Sequence, residues 1–151
     1  MKKLRAWYGM QSNEEYNGLH LEYLHKDRLI AEIIIENNEI YFINYTDDVI
    51  EKPFGNMTTI GFKEFKRFLA FRCFPDGRWN LNELLPYIGG IYDFMSIIRV
   101  THGVLSDDYF WIRFKGQDIK WDDIKDWHYH LNYRDFTDDE KGMQEFIDSL
   151  L

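Results

Sequence analysis

The sequence predicts an α+β domain, in which a small antiparallel sheet, made of N-terminal hairpins and one later aromatic strand, packs with several short helices. Three observations predict it. Apolar residues alternate with a period of two up to about Tyr45 and then, from Thr59, recur at roughly 3.6. The dipeptide Asn37-Asn38 falls between two apolar runs, and asparagine tolerates the positive φ that a two-residue hairpin turn demands. The stretch Phe71 to Phe114 then collects helix stops and starts and closes on an aromatic, β-branched run.

Taken in order, Leu4–Tyr8 reads as an edge strand or an arm and Gln11–Gly18 as a loop. Leu19–Leu24 and Leu29–Glu36 read as strands joined through His25-Lys26-Asp27-Arg28. In the second, Leu29, Ala31, Ile33 and Ile35 are expected on an apolar face, with Ile30, Glu32, Ile34 and Glu36 on a mixed one. Asn37-Asn38 turns the chain into Glu39–Tyr45, and an irregular crossing through Lys52-Pro53-Phe54-Gly55-Asn56 ends the hairpins. Phe62, Phe65, Phe68 and Leu69 then line one side of an amphipathic helix opposite Lys63, Lys66 and Arg67. Cys73-Phe74-Pro75-Asp76-Gly77 stops it, because proline disfavours helical geometry before it and Asp-Gly favours a turn.

Asn80 with Glu83 resembles a capping box and starts a helix of one or two turns. Asp93 is a natural N-cap for the next helix, which presents Phe94, Ile97, Ile98 and Thr101 on one face and has Gly103 as its stop. Both are expected to pack on the Phe62 helix. Tyr109–Phe114 is a strand with something to bury on each face, and Trp121, Ile124, Lys125 and His128 continue into a short helix. Thr137-Asp138-Asp139-Glu140 caps an acidic, amphipathic C-terminal helix within 135–151, with Met143, Phe146, Ile147 and Leu150 as its stripe. No repeat or linker interrupts the chain, so one domain over 1–151 is expected.

At 151 residues and 45% hydrophobic, the chain has the material for a substantial core. No apolar run is long enough to span a bilayer and the N-terminus lacks a signal-peptide pattern, so a cytoplasmic protein with no membrane contact is expected. The single cysteine, Cys73, fits a reducing compartment. Charge is uneven: residues 1–75 carry 10 Lys+Arg against 11 Asp+Glu, and residues 76–151 carry 8 against 15. An acidic half of this kind repels phosphates, so no direct nucleic-acid binding is expected through it.

Patterns that carry chemistry are weak. His128-x-His130 is accompanied by no CxxC or HExxH, and the serines sit in no G-x-S-x-G context. Gly89-Gly90 lacks the lysine of a phosphate loop, and Cys73 lies between Phe71 and Phe74, where a cysteine behaves as a small buried hydrophobe. A non-enzymatic protein without metal or cofactor is therefore expected.

The progression RLIAEIIIENNEIYFI, FRCFPDGRWNLNELLPYIG, IIRVTHGVLSDDYFWIRF and IKWDDI resembles the N-terminal module of HipA-like protein kinases. The residues carrying the likeness are Arg72, Pro75 and Arg78, then Leu105, Ser106, Asp108, Phe110, Trp111 and Ile112, then Trp121, Asp123 and Ile124, within 28–128. The kinase body has no counterpart, so none of that family's catalytic residues maps onto this chain. The resemblance implies a stand-alone, antitoxin-like module that binds and restrains a HipA-like kinase. Arg72, Arg78, Trp111 and Trp121 would fix its fold, with Pro75, Asp107, Asp108, Arg113 and Asp123 as further signature or contact candidates. Arg72 and Arg78 are expected to pair with Asp76, Asp107 or Asp108.

The acidic surface expected to meet a partner comprises Asp135, Asp138, Asp139, Glu140, Glu145 and Asp148. An alternative of another class is an acidic mobile-element inhibitor that mimics nucleic acid in a host defence nuclease, as anti-CRISPR proteins do. Exposed edge strands and the C-terminal helix also offer routes to a homodimer.

Overall fold

In a computed structural model of the chain, residues 13–73, Pro86 and 92–128 are described. Over them the α+β class holds, with four antiparallel strands and four short helical segments. A 3-10 turn at Asn13–Tyr16 leads into β1 (His20–His25), β2 (Arg28–Glu36) and β3 (Glu39–Asn44). Helices α1 (Phe62–Phe71) and α2 (Phe94–Thr101) follow, then β4 (Phe110–Phe114) and the single turn α3 (Trp121–Ile124). The sheet order is β3-β2-β1-β4, so the late aromatic strand pairs with the first.

The Asn37-Asn38 turn follows from sequence. Asn37 and Asn38 adopt φ of 51° and 60°, the left-handed pair that matches the twist of the flanking strands. Asn17 fastens this turn from outside: its amide donates to Asn38 Oδ1 and its Oδ1 accepts from the Asn38 N–H, each at 2.9 Å. The β1–β2 turn uses Lys26 at φ 51°.

The predicted alternation along β2 holds only in part. Ala31, Ile33 and Ile35 are fully buried, but so are Ile30 and, nearly, Glu32. The cause is an irregularity between Tyr23 and Leu24: Tyr23 pairs with Ala31 and Leu24 with Leu29, leaving Ile30 as an extra residue. A bulge of this kind breaks the period of two, so Leu29 shares the side of Leu24 rather than that of Ala31.

One sheet face packs on α1. Tyr23 meets Phe68 edge-on at 5.2 Å between ring centroids, Phe54 bridges Phe42 and Phe68, and Tyr16 reaches Phe62 and Phe65. Phe65 and Leu69 are fully buried, as the 3.6 period predicts, while the helix begins at Phe62 because Gly61 stays extended and its N–H is held by Glu64 Oε2 at 2.9 Å. Asp93 caps α2 as predicted, accepting from the Ser96 N–H at 3.1 Å. The left-handed residue that ends α2 is His102 (φ 56°), followed by Gly103 at φ 66°, so the stop predicted at Gly103 begins one residue earlier. His102 holds this geometry because its N–H bonds to Ile98 O while its own carbonyl and ring both bond to Ile112. Gly103 is needed for space as well as for φ: a Cβ there would stand 3.2 Å from Arg72 Cβ.

Cys73 ends this core. It is buried, its thiol lies 3.7 Å from Phe94 O, and burial followed by the Asp93 charge pushes the thiol far above its ordinary value. Iodoacetamide at pH 8 is therefore expected to leave the folded protein unlabelled for hours and to label it within minutes in urea. Fast labelling of the folded chain would contradict this burial. The predicted Asn80 and C-terminal helices, with the Leu4–Tyr8 strand, lie outside the described residues.

Candidate interaction surface

Two polar constellations sit on the sheet, and they behave differently. The first is the Arg72 clamp. Arg72 follows the last residue of α1 and is 5% exposed. Its Nε donates to Gly103 O at 3.0 Å, its two terminal nitrogens donate to the Asp108 carboxylate at 2.9 Å each, and Nη2 also reaches Phe110 O at 2.6 Å. One side chain thus joins α1, the loop after α2 and β4. Burial pushes the Asp108 carboxyl up, but the paired guanidinium and the Phe110 N–H outweigh it and hold the group below the usual carboxylate range. Of the three acids expected to pair with Arg72, Asp108 does so, whereas exposed Asp107 accepts instead from its neighbour Ser106.

Beside the clamp, Trp111 is fully buried and donates from Nε1 to Lys26 O at 2.5 Å, tying β4 to the β1–β2 turn. Trp121 is nearly buried, its N–H donates to Asp27 Oδ1 at 2.9 Å, and its ring lies edge-on to Tyr109. Asp123 accepts from the Lys120 N–H at 2.8 Å and so caps α3. Trp111, Trp121, Asp108, Asp123 and Arg72 therefore converge on one end of the sheet and bond within the fold. Pro75, Arg78, Asp135, Asp138, Asp139, Glu140, Glu145 and Asp148 lie outside the described residues.

The second constellation lies on the sheet face turned away from α1. Glu22 and Glu32 stand directly opposite each other on β1 and β2, both nearly buried. Two facing carboxylates repel, so each needs a cation. Arg113 Nε donates to Glu22 at 2.8 Å, Lys115 donates to Glu32 at 3.2 Å, and the Tyr45 hydroxyl donates to Glu32 at 2.8 Å. Burial pushes the Glu32 carboxyl up, and the Tyr45 and Lys115 bonds pull it below its ordinary value. Sequence reasoning named Arg113 but missed Glu22, Lys115 and Tyr45. A charge at mid-strand in both HLEYLH and RLIAEIIIE was the available signal.

Comparison with known proteins adds no relative. No family model, curated protein or solved structure matches this chain.

Other chemistry is sparse among the described residues, where no group of three or more His, Cys, Asp and Glu is placed to hold a metal ion. His128 lies 2.9 Å from Leu105 O through Nδ1 and stacks on Tyr109, while His130 lies outside the described residues. No described helix is long and apolar enough to cross a membrane.

What the paired carboxylates leave open lies next to them. Along β3 and just past it, Tyr41, Ile43 and Tyr45 share the outward face and keep 51%, 46% and 52% of their surface in water. They form a row of aromatic and aliphatic side chains flanking a polar patch whose own bonds are already made.

Proposed function

We propose that the protein is a regulatory protein-binding module that engages its partner through the outward side of β3. The observation supporting this is the Tyr41, Ile43 and Tyr45 row, since aromatic and aliphatic side chains left exposed together are the usual anchors of protein contacts. The neighbouring charges suit such a role because Glu22, Glu32, Arg113 and Lys115 compensate one another and present little uncancelled charge to a partner's apolar surface. The partner class is the one the sequence resemblance implies, a HipA-like kinase, with the module acting as an antitoxin-like restraint.

Affinity capture of the tagged chain from its host, with and without Tyr41→Lys and Ile43→Lys together, tests both parts. Recovery of a kinase that falls at least tenfold in the double variant, with stability changed by no more than about 0.5 kcal/mol per site, is the expected result. Equal recovery by both proteins would remove β3 from the reading. A partner that is a nuclease, released as salt rises, would replace the kinase by the acidic-mimic alternative.

A further inference from the structure

We infer that the outer edge of β3 is a strand-addition site for an extended segment of a partner protein, apolar at alternate positions and flanked by Lys or Arg. This rests on the protein-binding reading and names the chemistry of what binds. The backbone phase carries the first step. Ile35 turns its N–H and C=O toward Leu19 and Gly18, so Ile34 and Glu32 turn theirs toward β3, where they meet Tyr41 and Ile43. The N–H and C=O of Ile40, Phe42 and Asn44 therefore point away from the sheet, and among the described residues none bonds to them. In an antiparallel ladder such groups alternate along the strand, so three pairs stand ready for a new one.

The opposite edge is closed. On β4 the outward N–H groups of Phe110, Ile112 and Phe114 bond to Asp108 Oδ1 at 3.0 Å, His102 O at 2.7 Å and Gln117 Oε1 at 3.0 Å. Open edges are commonly blunted by proline, lysine, a bulge or a covering segment, and β3 has no proline, lysine or bulge. Alongside it runs a groove of about 440 Å³ between Ile40 and Phe42 on one wall and Thr58, Ile60 and Phe62 on the other. That size lies within the ~300–1,000 Å³ of clefts that hold ligands. An incoming strand would lay alternate side chains there and the others beside Tyr41 and Ile43.

Charge selects the occupant. Between Arg28 and Lys52 the chain has no Lys or Arg, and Glu36 and Glu39 at one end of β3 with Asp47 and Asp48 past the other are all exposed. A basic flank on each side of the added strand meets these carboxylates. A second copy meets them badly: the symmetric register about Phe42, the one that pairs all three outward residues, sets Glu39 of each copy opposite Tyr45 of the other, so the acidic Asp47-Asp48 stretch of one copy runs on past the Glu36–Glu39 end of the other.

The test uses the full chain and the synthetic peptide Lys-Lys-Val-Thr-Val-Thr-Val-Lys-Lys, read by amide exchange and by fluorescence anisotropy. Saturating peptide is expected to slow exchange at Ile40, Phe42 and Asn44 at least tenfold while Tyr41 and Ile43, already bonded to β2, change little. Ile40→Pro or Asn44→Pro removes one outward N–H without touching the β2 ladder and is expected to weaken binding tenfold or more, as is N-methylation of alternate peptide amides. A peptide with Glu for Lys should bind at least tenfold more weakly.

Absence of binding at millimolar peptide, equal affinity for the proline variants and N-methylated peptide, or equal binding of the Glu-flanked peptide would each overturn the proposal. So would a dimer in sedimentation of the free protein that is lost in Asn44→Pro, or exchange at the three amides already slow without peptide. If host partner capture depends on Tyr41 and Ile43 but not on Asn44→Pro, the protein-binding reading survives and strand addition fails.

Discussion

Arg72→Ala is expected to lower the free energy of unfolding by about 3–5 kcal/mol, the range for breaking a buried ion pair from one side. The loss has two sources. The substitution leaves Asp108 without its bidentate cation, and it strips a donor from the carbonyls of Gly103 and Phe110. Arg72→Lys should recover only part of this, because an ammonium cannot serve a carboxylate and two carbonyls in the planar fork that a guanidinium offers. Urea titration by far-UV circular dichroism measures both variants. A loss below about 1 kcal/mol for Arg72→Ala would mean that the clamp is not holding α1 to β4.

The same pair sets an acid dependence. The folded Asp108 carboxyl lies below its unfolded value, so its stabilisation is complete above about pH 4 and fades as pH falls through the lower folded value. In Arg72→Ala this part of the acid sensitivity should flatten.

Trp111→Ala is expected to cost a similar ~3–5 kcal/mol, for a different reason. The ring is fully buried, and its removal leaves a cavity at the end of the sheet where β4 meets the β1–β2 turn. Trp111→Phe weights hydrogen bonding over packing, because it keeps most of the apolar bulk while deleting the donor to Lys26 O. Its expected cost is about 1–3 kcal/mol, from the lost bond to a part-buried carbonyl together with the smaller ring. Equal midpoints for the Phe variant and the wild type would show that water replaces the indole N–H at that turn.

Much of this architecture was legible in the residues because local rules and the fold agree. Asn37-Asn38 can turn only one way at low cost, Phe65, Phe68 and Leu69 recur at helical spacing, and Asp93 sits one residue before an apolar face. What stayed hidden depends on partners distant in sequence. Ile30 is buried because of a bulge that no residue type announces, and Glu32, read as part of a mixed face, is buried because Lys115 and Tyr45 arrive from other parts of the chain. Of three aspartates offered to Arg72, spacing alone did not choose Asp108. Its choice follows from the loop that places Gly103 and Phe110 around the same guanidinium. The open side of β3 was not legible in the sequence, since exposure of Tyr41 and Ile43 is fixed by what does not cover them.

The three bonds that close β4 also limit how the protein can assemble. Filaments of sheets grow by joining two different edges, head to tail, without end. With Phe110, Ile112 and Phe114 already satisfied, the described residues leave this sheet one joinable edge, so a strand docked on β3 would find no second edge to grow from. Among the described residues, a strand added at β3 would therefore meet a sheet with no second place to add another.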